Sequence, residues 1–166
     1  MSTGFTKMVT DIDVKLQPLG QALIQAHQWL SASLLNLMHE RGHRELTRTH
    51  LTFFNSLNCG MTHASDVARR MGITRQAVYK VTKELQKLGI LELVDDPEDG
   101  RQKIISMTKR GERIALDARE CLDLIEAQLA GQIGRRNLEI LKTVLAKDWG
   151  PVIEGDCSEP GPKAVE

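Results

Sequence analysis

From Pro18 to Arg41 the apolar residues Leu19, Leu23, Ala26, Leu30, Leu34, Leu37 and Met38 recur at helical spacing. That pattern predicts one long amphipathic helix, with Pro18 in its first turn and Gly42 as its stop. It exceeds the average globular helix in length, so part of its apolar stripe is expected to pack against a partner subunit. Three short helices follow. Thr47 caps one to about Leu57, with Leu51, Phe54 and Leu57 inward; Thr62 caps a second through Met71, burying Ala64, Val67, Ala68 and Met71; Thr74 caps a third to Leu88. Only Gly72-Ile73-Thr74 separates the last two, a spacing that suits a helix-turn-helix.

After Gly89 the period changes. Ile90–Val94 and Lys103–Met107 are short aliphatic runs joined by Asp95-Asp96-Pro97-Glu98-Asp99-Gly100-Arg101-Gln102, which predicts a β-hairpin with a polar tip. Thr108 then caps a long helix to about Ala130, with Ile114, Ala118, Cys121, Ile125 and Leu129 on one face. A break at Gly131–Gly134 precedes a last helix, Arg135–Lys147, that presents Leu138, Leu141, Val144 and Leu145. The fold class is therefore mainly α with a small hairpin wing: a winged helix-turn-helix over residues 44–113, flanked by dimerisation helices at 14–41 and 114–149. The tail at 150–166, rich in Pro, Gly and acid, is expected to be disordered. The expected dimer interface draws on Leu16, Leu19 and Leu23 from the first helix and Leu138, Leu141 and Leu145 from the last.

Charge sharpens the picture because it is unevenly placed. Across 166 residues, 22 basic side chains balance 22 acidic ones, whereas a DNA-binding protein is more often basic overall. Yet between positions 69 and 87 six cations (Arg69, Arg70, Arg75, Lys80, Lys83, Lys87) face the single carboxylate Glu84. On the third short helix, Val78, Val81, Leu85 and Leu88 fall within an arc of about 80°, while Arg75, Gln76, Tyr79, Lys80, Lys83 and Lys87 occupy about 140° opposite. One face packs and the other is cationic. Arg or Lys reads guanine, Gln reads adenine, and a B-DNA major groove admits one helix. Arg75, Gln76 and Tyr79 are the candidate base contacts, and Thr74, which caps the same N-terminus, belongs to the candidate DNA-binding set with them. Lys80 and Lys83 are candidate phosphate contacts, joined by Thr62, Ser65 and Arg69 of the preceding helix.

The segment Asp99-Gly100-Arg101-Gln102-Lys103-Ile104-Ile105-Ser106-Met107-Thr108 resembles the wing signature of the MarR-type regulators: Asp-x-Arg, then after five residues Leu-Thr, with Met107 in the leucine place. Leu85-x-x-x-Gly89-Ile90 and Thr108-Lys109-Arg110-Gly111 extend the resemblance over Thr47–Gly111. It implies a DNA-binding transcription regulator, a repressor acting as a homodimer on a pseudopalindromic operator. It also implies that Arg101 enters the minor groove with Asp99 orienting it. Tyr79-Lys80 stands where relatives often carry Thr-Arg, so operator sequence does not transfer. The resemblance further implies a cleft for small aromatic or phenolic acids. His27, Trp29, Arg41 and His50 are its candidate lining, the effector's identity being open. No cofactor is expected.

Two other chemistries compete with this reading. His39-Glu40-Arg41-Gly42-His43 matches the zinc hydrolase motif, in which two histidines one helical turn apart bind metal. Gly42 falls inside it at a helix end, and Leu46 and Thr49 occupy the places of the extended pattern's glycine and third histidine. Polar residues closing a helix are the preferred reading over metal binding by His39, His43 or His50. Cys59, Cys121 and Cys157 form no C-x-x-C pair, and the first long helix has no thiol for peroxide sensing. Neither a signal peptide nor a run of roughly eighteen apolar residues is present, so a cytoplasmic protein with duplex DNA and its own copy as partners is expected. A winged helix used only for protein contacts is the rival.

Overall fold

The computed structural model describes residues 18–57 and 62–154. Its elements are α1 (Leu19–Glu40), α2 (Arg48–Ser56), β1 (Thr62–His63), α3 (Ala64–Met71), α4 (Arg75–Lys87), β2 (Leu91–Asp95), β3 (Lys103–Met107), α5 (Lys109–Ile133) and α6 (Arg135–Leu145). Two compact units divide after Gln128.

In the first unit, threonine caps set the starts of α2 and α4. Thr47 Oγ1 accepts the His50 N–H at 3.2 Å, and Thr74 Oγ1 accepts the Ala77 N–H at 3.1 Å. Between α3 and α4 the chain reverses through Gly72 at φ 63°, a left-handed geometry that glycine adopts without steric cost. The Ile73 N–H then reaches back to the Ala68 carbonyl at 3.1 Å, closing α3. This short, fully bonded turn fixes α4 relative to α3.

The sheet is antiparallel with order β1-β3-β2. Leu91 pairs with Met107 and Asp95 with Lys103 across the hairpin, and Thr62 pairs with Ile105 on the other edge of β3. The third strand corrects the expected N-terminus of α3: Thr62 is not its cap but a strand residue. α3 begins at Ala64 with His63 as a cap that offers no side-chain bond. The core joins Leu34 and Met38 of α1, Leu51 and Phe53 of α2, Val67 of α3, Val78 and Leu85 of α4, Ile90, Ile105, and Ile114, Cys121 and Ile125 of α5. Phe54, inward by the pattern, is half-buried against this core, and Phe53 beside it is fully buried.

The hairpin root is tied to the start of α5. The Ile90 carbonyl accepts both the N–H and the Oγ1–H of Thr108 at 3.1 Å, and Thr108 Oγ1 in turn accepts the Gly111 N–H at 3.1 Å. Thr108 thus caps α5 and anchors the wing.

In the second unit the expected break at Gly131 is absent. α5 continues to Ile133 and only Gly134 interrupts it, since one glycine costs a helix interior about 1 kcal/mol and does not end it. On α6, Leu138 is buried within the chain, which removes it from the expected dimer surface, whereas Ile140, Leu141, Val144 and Leu145 are exposed. In the first unit α1 likewise leaves Leu19, Ile24 and Leu30 exposed. Leu16 and the tail from residue 155 lie outside the described residues.

Candidate nucleic-acid interface

α4 presents two faces. Val78, Val81, Thr82 and Leu85 are buried, while Arg75, Gln76, Tyr79, Lys80, Lys83 and Lys87 are exposed. An open concavity of about 680 Å³ runs along this outer face, lined among others by Gln76, Tyr79, Lys80, Lys83 and Lys87. Tyr79 is 58% exposed and lies under the Lys83 ammonium, 5.4 Å from the ring centroid, an arrangement that steadies both side chains.

Not all six cations of the block are equally available. Arg69 is paired with Asp66 one turn back on α3, and Arg70 donates to the Ser56 carbonyl at 2.9 Å. Arg75, Lys80 and Lys87 make no ion pair with any described residue. Positive charge is therefore concentrated on α4. Thr62 is 2% exposed, so strand pairing withdraws it from the expected phosphate contacts. Ser65 remains exposed, and with Arg75, His63, Gln102 and Lys103 it borders a niche of about 200 Å³. Gln102 in the wing tip and Lys103 at the tip end of β3 are additions to the expected set. Nothing in the sequence places them beside α3, because β1 brings the two together.

At the hairpin tip the Asp99 carboxylate accepts the Gln102 amide at 2.9 Å and the Arg101 backbone N–H at 3.1 Å. These bonds hold its carboxyl below the usual carboxylate range. Asp99 thus acts on Arg101 through the backbone, shaping the turn rather than gripping the guanidinium, which is exposed and unpaired among the described residues. Buried Asp96 accepts the Glu98 N–H at 2.8 Å and lies 3.3 Å from His63, fastening the tip to β1.

α1 ends at Glu40, so His39 and His43 do not share a helical turn; His39 Nε2 lies 2.8 Å from the Leu46 carbonyl oxygen and His43 Nε2 lies 2.6 Å from Asp117. Among the described residues no group of three or more His, Cys, Asp or Glu is placed to hold a metal ion. Cys121 is fully buried, and that burial pushes its thiol above its ordinary value, against thiolate reactivity. Of the expected effector lining, His50 is buried, Arg41 is bonded to Glu120 at 2.6 Å, Trp29 is exposed, and His27 lies 3.4 Å from Ser31. No described helix is long and apolar enough to cross a membrane.

A helix-turn-helix followed by a hairpin that pairs with a short strand just ahead of its first helix defines a winged helix-turn-helix protein. Residues 46–102 match the model of the MarR family. The fold is shared with a probable transcriptional regulator from Pseudomonas aeruginosa (24% identity, 78% of this chain and 96% of that one, TM-score 0.60). It is shared also with apo MarR of E. coli (16%, 79% and 96%, 0.63) and with CouR of Rhodococcus jostii bound to p-coumaroyl-CoA (20%, 78% and 90%, 0.61). Uncharacterized proteins of Mycobacterium bovis and Mycobacterium tuberculosis are 28% identical over 80 residues, 48% of this chain. The chain spans 56% of the length of these curated relatives.

Proposed function

We propose that the chain is a transcription regulator, a repressor, that binds duplex DNA as a homodimer. In this reading α4 lies in the major groove with Arg75, Gln76 and Tyr79 toward base edges. Lys80, Lys83, Ser65 and Arg69 meet phosphates, and Arg101 reaches the adjacent minor groove with Asp99 shaping its turn. The observation that carries it is the outer face of α4: cations without carboxylate partners on a helix whose other face is locked in the core. Arg69, neutralised by Asp66, ranks last among the phosphate contacts.

Residues 44–113 form the reading head in this proposal, with 14–41 and 114–149 supplying the dimer. Exposed Leu19 on α1 and exposed Leu141 and Leu145 on α6, with half-buried Leu23, support that assignment. A twofold dimer presents two α4 helices, which calls for a pseudopalindromic site with half-sites about one helical turn apart.

The test is duplex affinity measured against salt, using fragments selected from a random pool. Binding that weakens steeply with salt is expected. Arg75→Ala is expected to cost about 1–3 kcal/mol on the selected site and to relax base preference at one position per half-site. Arg101→Ala is expected to weaken binding to most sequences alike. Full affinity in both variants would contradict the assignment.

A further inference from the structure

The reading face of α4 contains one carboxylate. Glu84 lies four residues after Lys80 and three before Lys87, the two spacings at which side chains meet on a helix surface. Left to itself, Glu84 would pair with one of these lysines and cancel a charge meant for phosphate. It does not. Its Oε2 lies 3.4 Å from Nε2 of His50, on α2, and neither lysine has an ion-pair partner among the described residues.

His50 is suited to this task by its own surroundings. It is buried, at the third position of α2, and its Nδ1 accepts the backbone N–H of Thr47 at 3.4 Å as the return arm of a capping box. A ring nitrogen that accepts a hydrogen bond carries no proton, so the ring proton sits on Nε2 and is donated to Glu84. The cap therefore fixes the tautomer that holds the carboxylate.

We infer that His50 is a positioning residue for DNA binding, which restrains Glu84 so that Lys80 and Lys87 stay free for the phosphate backbone. This rests on the DNA reading of α4 proposed above. Its consequence is that losing His50 weakens DNA binding only while residue 84 carries a charge.

The experiment uses the full chain, a short mixed-sequence duplex and a series of salt concentrations. His50→Leu, which keeps an apolar volume but has no donor, is expected to bind about five- to tenfold more weakly at low salt. The slope of log affinity against log salt is expected to fall by about one per protomer. His50→Gln is expected to stay within about twofold of the parent, because its amide can accept from Thr47 and donate to Glu84. Adding Glu84→Gln to His50→Leu is expected to restore both affinity and slope, which a purely structural role would not produce. An unrestored loss, or a His50→Leu chain that binds like the parent, overturns this inference alone. A parent chain that ignores the duplex at every salt concentration overturns the DNA reading and this consequence with it. Should His50→Leu fail to fold, the parent's imidazole decides: two-dimensional 15N–1H correlation must show the proton on Nε2, and a proton on Nδ1 refutes the arrangement.

Discussion

Gly111→Ala is expected to destabilise the protein by roughly 3–5 kcal/mol, the combined effect of overpacking and lost hydrogen bonds, and to lower its midpoint by about 10 °C. Gly111 is buried in the first turn of α5, and a Cβ there would overlap the carbonyl oxygen of Ile90 and approach its carbonyl carbon to 3.3 Å. Neither partner can yield cheaply. That oxygen accepts two bonds from Thr108, and Ile90 is itself fully buried at the base of the hairpin. Moving α5 away would break both bonds and loosen Ile114 beneath it; moving Ile90 would shift the wing. The neighbouring cap offers no relief, since the single Thr108 hydroxyl proton is shared between the Ile90 carbonyl and the Gly89 carbonyl, 2.7 Å away.

Gly131→Ala provides the opposite case within the same helix. Its Cβ would meet nothing within 4 Å, so alanine should stabilise α5 by about 0.5–1 kcal/mol through the lower entropy of the unfolded chain. Denaturation of both variants at equal protein concentration measures the contrast, the concentration being fixed because dimerisation would shift the midpoint. Equal stability of the two would show that α5 does not approach the hairpin root as closely as described.

Local chemistry explains why so much of the fold is legible in the chain. Thr47 and Thr74 cap as their positions before helical runs imply, and Gly72 and Gly89 end α3 and α4 at positive φ. Both faces of α4 follow from its phase alone, because a helix with one apolar and one cationic arc has only one way to dock on a core. What the chain does not disclose is set by partners distant in sequence. Thr62 has the side chain of a cap, but pairing with Ile105 wins, and a two-residue strand has no period to read. Likewise the neutral net charge hides which ions are spoken for: Asp66 takes Arg69, His50 takes Glu84, and only the folded chain reveals that Lys80 and Lys87 are left over. Phe53 is buried beside the inward-facing Phe54, an addition the phase of so short a helix does not disclose.

Reversing Lys80 and Lys83 together to glutamate should cost the largest share of duplex affinity, roughly a thousandfold at moderate salt, with a slope of log affinity against log salt lower by about 3.6 for a dimer. Two phosphate contacts per protomer are lost, each releasing close to one counterion, and the carboxylates that replace the lysines then repel the phosphate backbone. The fold should survive, because both side chains are exposed while Val78, Val81 and Leu85 hold the helix from its other side. Placing a second carboxylate one helical turn before Glu84 is expected to cost only a few tenths of a kcal/mol in helix stability. Far-UV circular dichroism and the thermal midpoint should therefore match the parent while anisotropy with labelled duplex falls away. The neutral pair Lys80→Gln and Lys83→Gln should show an intermediate loss with nearly the same change in slope, since the slope reports contacts removed and the further drop reports repulsion. If the doubly reversed protein, still folded, held its duplex as tightly as the parent, the outer face of α4 would not be where DNA lies. A winged helix that uses this surface for protein partners would then be the better account.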